Sequence, residues 1–387
     1  MARGSVAILG LVLCGHAAAQ DVKGVDQARV DAAIRKGVAF LKTSASPGCT
    51  LEGGFPNCDE LILWTLVHAG VPENDPRFKE LLKSIVEGPL THTYSVSLQA
   101  MVLEEIDRVR HQGRIAQCAQ FLVDNQCTNG QWGYGKPTTL PKDIPTTGGK
   151  PAVASGGVVR FDVQEKVKPK VTRKIPVRKQ RDGEGAGDNS NTQYAVLGLR
   201  ACHEAGIMIQ PDVYALATKW WRTTQVKEKN PGNAVASGEG VDPGYWIYKE
   251  SHAGRVYGMT AGGVGSLCIL DQIQGINWKR DREVLAGLSW LASHWTPSTP
   301  GDSDKFLHYY YLYALERAGI LYGTETLGKH RWYPEGAAFL LDAQKDDGSW
   351  DVGDRTWPEW SPVWDTCFAV LFLRRATRPL VVSVDRK

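Results

Sequence analysis

Trp364-Asp365-Thr366-Cys367 sets an indole, a carboxylic acid and a thiol side by side at the head of an apolar run. A carboxyl group kept protonated in apolar, aromatic surroundings donates a proton well. Asp365 can act in that way only if it is buried, and Cys367 is a neighbour able to hydrogen-bond it. The structural alternative is that Asp365 caps the N-terminus of the helix that follows. His308-Tyr309-Tyr310-Tyr311-Leu312-Tyr313 places bulky rings on every face of one helix. Tyr309, Tyr310, Tyr311, Tyr313 and Trp364 are candidates to line a pocket for an apolar ligand, or else they pack between helices. Cys49 and Cys58 bracket a Gly/Pro-rich turn and are predicted to form a disulfide if the chain meets an oxidising compartment.

The elements that must position these groups follow from a repeat. Gly336 to Trp350 reads GAAFLLDAQKDDGSW, with Gly336, Phe339-Leu340, Gln344, Gly348 and Trp350 at fixed spacing before a second apolar segment. Ala337, Leu340, Leu341 and Gln344 lie at helical intervals, and Asp346-Asp347-Gly348 is a polar turn, so the unit is a helix, a turn and a returning helix. Gln126, Gly130 and Trp132 repeat its second half, with Cys118 where the first Gly belongs. Trp220, Gln225 and Gly244-x-Trp246 form a third copy, and residues 37–55, 82–86 and 287–291 weaker ones. First helices are thus predicted near residues 40, 85, 121, 220, 290 and 339. Second helices are predicted over 60–68, 94–104, 192–203, 260–270, 308–317 and 366–374. Repeats unable to bury an apolar face alone must stack on their neighbours.

The spacing G-x-x-F-L-x-x-x-Q-x-x-x-G-x-W resembles the QW motif of the prenyltransferase and squalene oxidase repeats. Resemblance to terpenoid cyclases and protein prenyltransferases, closest to the squalene cyclase C-terminal type, implies an all-α fold: an α/α toroid of six helix hairpins closing a ring, with the second helices inside. An open helical solenoid is the alternative. In that family a cyclase protonates its substrate with a strongly acidic carboxyl group. Pro362-Val-Trp-Asp365-Thr-Cys-Phe-Ala369 resembles the oxidosqualene cyclase segment whose Asp is the catalytic acid, although Val370 stands where the family has Glu. The Asp-x-Asp-Asp signature of bacterial squalene cyclases is absent, and Asp346-Asp347 belongs to a solvated turn. Asp365-x-Cys367 matches the zinc-ligand spacing of protein prenyltransferases, but no His follows it, and His308 or His330 would have to come from an earlier repeat. No metal and no cofactor is expected.

The remaining sequence bounds the setting. Residues 1–20 carry Arg3, an apolar run from Val6 to Leu13 and Ala17-x-Ala19, the pattern of a secretory signal peptide, so export to the periplasm, cell envelope or medium is expected. The toroid is expected over 21–378, interrupted by an insertion at 136–190, with a tail at 379–387. From Lys136 to Asp188 there are 12 Lys/Arg against 6 Asp/Glu, a net +6 within a chain total of +3. This basic insertion is expected to meet an acidic surface or to be solvated, and its prolines favour an extended segment or edge strand. No transmembrane segment is expected in the mature chain, and no nucleic-acid module is recognisable. Three functions stay open: a toroid binding an isoprenoid-like ligand or a protein without catalysis, a cyclase or prenyltransferase-like enzyme using Asp365, and a structural envelope protein.

Overall fold

The computed structural model describes residues 24–44, 58–145, 168–228, 241–249, 256–299, 307–353 and 361–380. Within them lie α1 (Gln27–Thr43), α2 (Cys58–His68), α3 (Pro76–Glu87), α4 (Thr93–Asp107), α5 (Gln112–Asp124) and α6 (Asn189–Glu204), then α7 (Pro211–Thr223), α8 (Val256–Ile273), α9 (Arg282–Ser293), α10 (His308–Tyr322), α11 (Trp332–Ala343) and α12 (Ser361–Leu373). Burial alternates along this order. In α1 only Val30, Ala33, Ile34, Gly37 and Leu41 are buried, one stripe at three- and four-residue spacing. In α8 burial is unbroken from Gly258 to Asp271. Helices apolar on every side must be enclosed, so the even-numbered helices stand inside and the odd-numbered ones outside. Neighbouring inner helices pack on one another from α2 round to α12, and α12 packs on α2. The fold is an all-α, α/α toroid, and that closing contact excludes the open solenoid.

The repeated residues stitch the ring. The last carbonyls of a helix lack intrahelical partners, and the motif tryptophans supply them. Trp132 Nε1 donates to Leu122 O (2.7 Å), Trp246 Nε1 to Trp221 O (2.8 Å) and Trp350 Nε1 to Leu340 O (2.8 Å), each in the last turn of an outer helix. The backbone N–H of each Trp donates to a Thr hydroxyl of the inner helix that follows: Thr192, Thr260 and Thr366. The motif glutamines reach onward to the next outer helix, Gln126 to Val213 O, Gln225 to Glu283 O and Gln344 to Ala33 O, the last joining the sixth repeat to the first. Gly130 (φ +99°) and Gly348 (φ +89°) occupy the left-handed region, and a Cβ there would come within 2.4 Å of Leu216 O or 2.6 Å of Lys36 O. Only glycine lets the turn press this close to the next helix.

In the first and fifth repeats the first glycine of the motif makes room for the preceding repeat's tryptophan, whereas Gly336 faces the Phe372 ring. A Cβ on Gly37 would lie 2.9 Å from the Trp350 ring, and one on Gly287 3.0 Å from the Trp246 ring. The second repeat has no such tryptophan, so α5 can carry Cys118 at this position, its thiol donating to Gln99 Oε1.

Outer helix α5 departs from the single-stripe pattern, being buried from Ile115 through Asp124 except for Gln117. The cover is the second half of the basic insertion. Arg108 Nε donates to Pro169 O, Gln112 Nε2 to Arg173 O and Gln120 Nε2 to Arg178 O, while Gln180 N donates to Asp124 Oδ1. Ile175 and Val177 turn inward, and β1 (Ile175–Pro176) runs parallel to β2 (Ile207–Met208), the edge strand its prolines permit. Two further short pairs, β3 (Val226–Lys227) with β4 (Gly244–Tyr245) and β5 (Thr326–Leu327) with β6 (His330–Arg331), brace loops. Residues 1–20, the middle of the insertion and the end of the tail lie outside the described residues. No described helix is long and apolar enough to cross a membrane.

Candidate functional site

The inner helices run the same way, so their N-terminal ends gather at one mouth and their C-terminal ends at the other. Between the mouths the ring axis is occupied by the protein's own side chains. At the N-terminal mouth the hydroxyls of Tyr94 (α4), Ser190 (α6) and Tyr310 (α10) form one cluster, Tyr310 OH lying 2.9 Å from Ser190 Oγ and 3.2 Å from Tyr94 OH. Gln193 Nε2 donates to Tyr310 OH (2.5 Å), and Gln193 Oε1 accepts from Arg317 Nη2 (2.9 Å). The Arg317 guanidinium stacks over Tyr313 at 4.2 Å from the ring centroid and faces Tyr194 at 5.4 Å, a cation–π arrangement. Trp64 Nε1 of α2 donates to Tyr313 OH (2.9 Å), and Phe368 of α12 packs against Tyr310 and Tyr313. Inner helix α8 contributes space: Cβ atoms on Gly258 and Gly262 would meet the Tyr310 ring at 3.0 Å and Gln193 Oε1 at 2.4 Å.

Of the four candidate tyrosines, Tyr310 and Tyr313 therefore face the axis. Tyr311 packs edge-on against Tyr257, and Tyr309 leans toward Phe339, both between helices. Burial pushes the phenols of Tyr94, Tyr310 and Tyr313 far above their usual range, so they remain neutral. Of the candidate pocket residues, Tyr313 alone lines the axial crevice. The axial crevice lined by Trp64, Tyr313 and Arg317 has a volume of about 50 Å³, whereas sites for small organic ligands run roughly 300–1,000 Å³.

Asp365 is 5% exposed. Its Oδ2 accepts from Val352 N (2.9 Å) and from Ser361 Oγ (3.2 Å), tying the loop after the sixth motif to α12. The capping reading is corrected, because α12 starts at Ser361 and Asp365 lies a full turn inside it. Pro362 does not interrupt the helix there, since a fixed φ and a missing N–H are tolerated in a first turn. Trp364 is half-buried. Cys367 is fully buried, its thiol pushed up to about 12 by burial, and it bonds to Thr65 of α2. Gln126, Gly130, Trp132, Gln344, Gly348 and Trp350 are structural, as described above. Cys49 lies outside the described residues, as does the side chain of Cys58, and so the bridge between them does too. The described Cys118, Cys127, Cys202, Cys268 and Cys367 are all buried free thiols. Among the described residues no three His, Cys, Asp or Glu side chains gather as a metal site.

Sequence reading passed over Arg317, Gln193 and Trp64. Gln193 follows Thr192 where Ala261 and Cys367 follow the matching threonines, so the aligned repeats held a signal that this position faces inward. No family model matches the chain, and no curated protein matches it. Among solved structures it is similar to an unsaturated glucuronyl hydrolase specific for heparin, with TM-score 0.49 and 10% identity over 91% of this chain and 97% of that one. It is likewise similar to a glycoside hydrolase family 76 mannosidase from Bacteroides thetaiotaomicron VPI-5482, with TM-score 0.48 and 9% identity over 90% and 98% of the two chains. Likenesses this distant say nothing about the chemistry of this chain.

Proposed function

We propose that the protein is an exported toroid that binds a protein partner or an apolar ligand at the mouth formed by the N-terminal ends of its inner helices, without catalysis. The observation that carries this reading is the filled axis. An isoprenoid threaded into the ring would have to displace the Tyr310–Gln193–Arg317–Tyr313–Trp64 chain, and the crevice there offers about 50 Å³. Alkene or epoxide protonation needs a strong acid facing the substrate, whereas the titratable groups within the Tyr310–Gln193–Arg317–Tyr313–Trp64 chain are neutral phenols and a guanidinium. Sequence length points to the mouth. The stretches 44–57, 125–188, 224–255, 294–307 and 344–360 all join an outer helix to an inner one at this end, and the connections at the other end are shorter. Long connections carried on a rigid scaffold are where binding residues concentrate.

The second reading, a squalene-type cyclase, is favoured by the burial of Asp365 near Tyr309. Incubation of wild type and Asp365→Asn with squalene, oxidosqualene and shorter isoprenoids separates the two. We expect no cyclised product from either protein, and a product that depends on Asp365 would replace binding by catalysis. Export rests on residues 1–20. N-terminal sequencing of protein from the cell envelope should find the chain starting near Gln20, and an intact Met1 in cytosolic protein would refute it.

A further inference from the structure

The strap that covers α5 turns its other face to solvent. Residues 168–181 hold seven Lys/Arg and no Asp/Glu, in a chain whose total charge is +3. Three of the seven are engaged by the protein itself. Lys168 pairs with Glu104 and Glu105, Lys179 with Asp182 (2.7 Å), and Arg181 Nη2 donates to Asn125 Oδ1 (3.1 Å). The other four, Lys170, Arg173, Lys174 and Arg178, are exposed and make no ion pair among the described residues. Their backbone is held in place. Arg108, Gln112 and Gln120 bond the carbonyls of Pro169, Arg173 and Arg178 (2.8 Å each), and Ile175 N and Val177 N donate to Gly206 O and Met208 O.

With Ile175 and Val177 buried, alternate residues of this extended chain face outward. Lys170, Lys174 and Arg178 therefore share one side at four-residue intervals, and at a strand's rise per residue the three span roughly 26 Å. Like charges fixed side by side repel one another, and nothing in the described chain offsets these. We infer that this row is a docking surface for a linear acidic polysaccharide, a chain with a carboxylate on its repeating sugar. Shape and chemistry select the partner together. A narrow row fits a chain, Lys and Arg bond carboxylates through charge-assisted hydrogen bonds, and Thr172 on the same side can bond sugar hydroxyls. Residues 168–181 contain no Phe, Tyr, Trp or His to stack on nucleic-acid bases. Met208, opposite Pro176 and 49% exposed, is too little apolar surface to bed the strap in lipid.

The row lies on the outer wall of the ring over α5, so the inference does not depend on what the mouth binds. Polygalacturonate is the probe. Wild type should bind it at low ionic strength, with an affinity that falls as sodium chloride rises. Lys170→Gln, Arg173→Gln, Lys174→Gln and Arg178→Gln combined should weaken binding by about tenfold or more and leave the thermal midpoint unchanged, because all four side chains are exposed. Arg35→Gln, Lys36→Gln, Lys79→Gln and Lys83→Gln combined, at exposed positions of α1 and α3, remove the same charge elsewhere and should leave the affinity close to wild type. Failure of the wild type to bind polygalacturonate, equal losses in the two combined variants, or tighter binding through the row to duplex DNA or to phosphatidylglycerol vesicles overturns the inference.

Discussion

Asp365 holds a loop through the backbone amide of Val352 and also accepts from Ser361 Oγ, and the buried amide dominates what its replacement should cost. Asp365→Asn keeps an oxygen acceptor for Val352 N–H and should unfold in urea close to wild type. Asp365→Ala strands that amide and should lose about 1–3 kcal/mol; equal losses for both variants would show that the charge, not the acceptor, matters. Glu60 makes a second test. It is buried, its Oε2 has no hydrogen-bond partner among the described residues, and burial, with Asp59 adding and Arg114 opposing, raises its carboxyl to about 8. Between the ordinary carboxylate value and about 8 the folded chain keeps a proton that the unfolded chain gives up, so stability falls as pH rises through that window. Glu60→Gln should flatten this slope and raise the thermal midpoint at pH 8, and an unchanged slope would assign it to another group. Residue roles of this kind were hard to read in the sequence. A second helix predicted over 366–374 made Asp365 look like its cap, and nothing in the order of residues says which carboxyl will lack a partner.

Helices were legible because each pair obeys a pattern stronger than its local details. Five of the predicted second helices fall within α2, α4, α6, α8 and α10, the sixth overruns α12 by one residue, and even the degenerate copy at 82–86 lies inside α3, a true outer helix. The motif's chemistry explains why it could be read: Gln344, Gly348 and Trp350 each meet a partner whose geometry recurs, so their types are fixed wherever the stitch is made. Trp350→Phe leaves Leu340 O buried without its donor, and Gln344→Leu removes the side-chain bonds to Ala33 O and Gly348 O that join the sixth repeat to the first. Each should cost about 1–3 kcal/mol by chemical unfolding. Gly348→Ala should cost more than Gly353→Ala, because both glycines have positive φ but only Gly348 faces a carbonyl at 2.6 Å; similar losses would remove the close approach as the reason for Gly348. The strap over α5 was only half legible. Its prolines predicted extended backbone, but the burial of Ile175 and Val177 depends on a groove that another part of the chain builds.

At the scale of the whole molecule the ring is closed twice, by α12 against α2 and by Gln344 against Ala33, and its centre is built from all six inner helices. Circular dichroism should report a mainly helical protein, and a strand-dominated spectrum would be incompatible with the twelve α-helices among the described residues. Closure could be anticipated from six repeats, but the contents of the axis could not. Trp64, Gln193, Tyr310, Tyr313, Arg317 and Phe368 come from four helices far apart in sequence, and no periodicity announces that they meet. Their meeting decides between a vessel and a scaffold. Crystals of the wild type soaked with squalene test it most directly: continuous side-chain density from Tyr94 through Arg317 to Trp64, with no ligand between, is the expected map. Hydrocarbon density along the axis, with Gln193 and Arg317 swung aside, would contradict it.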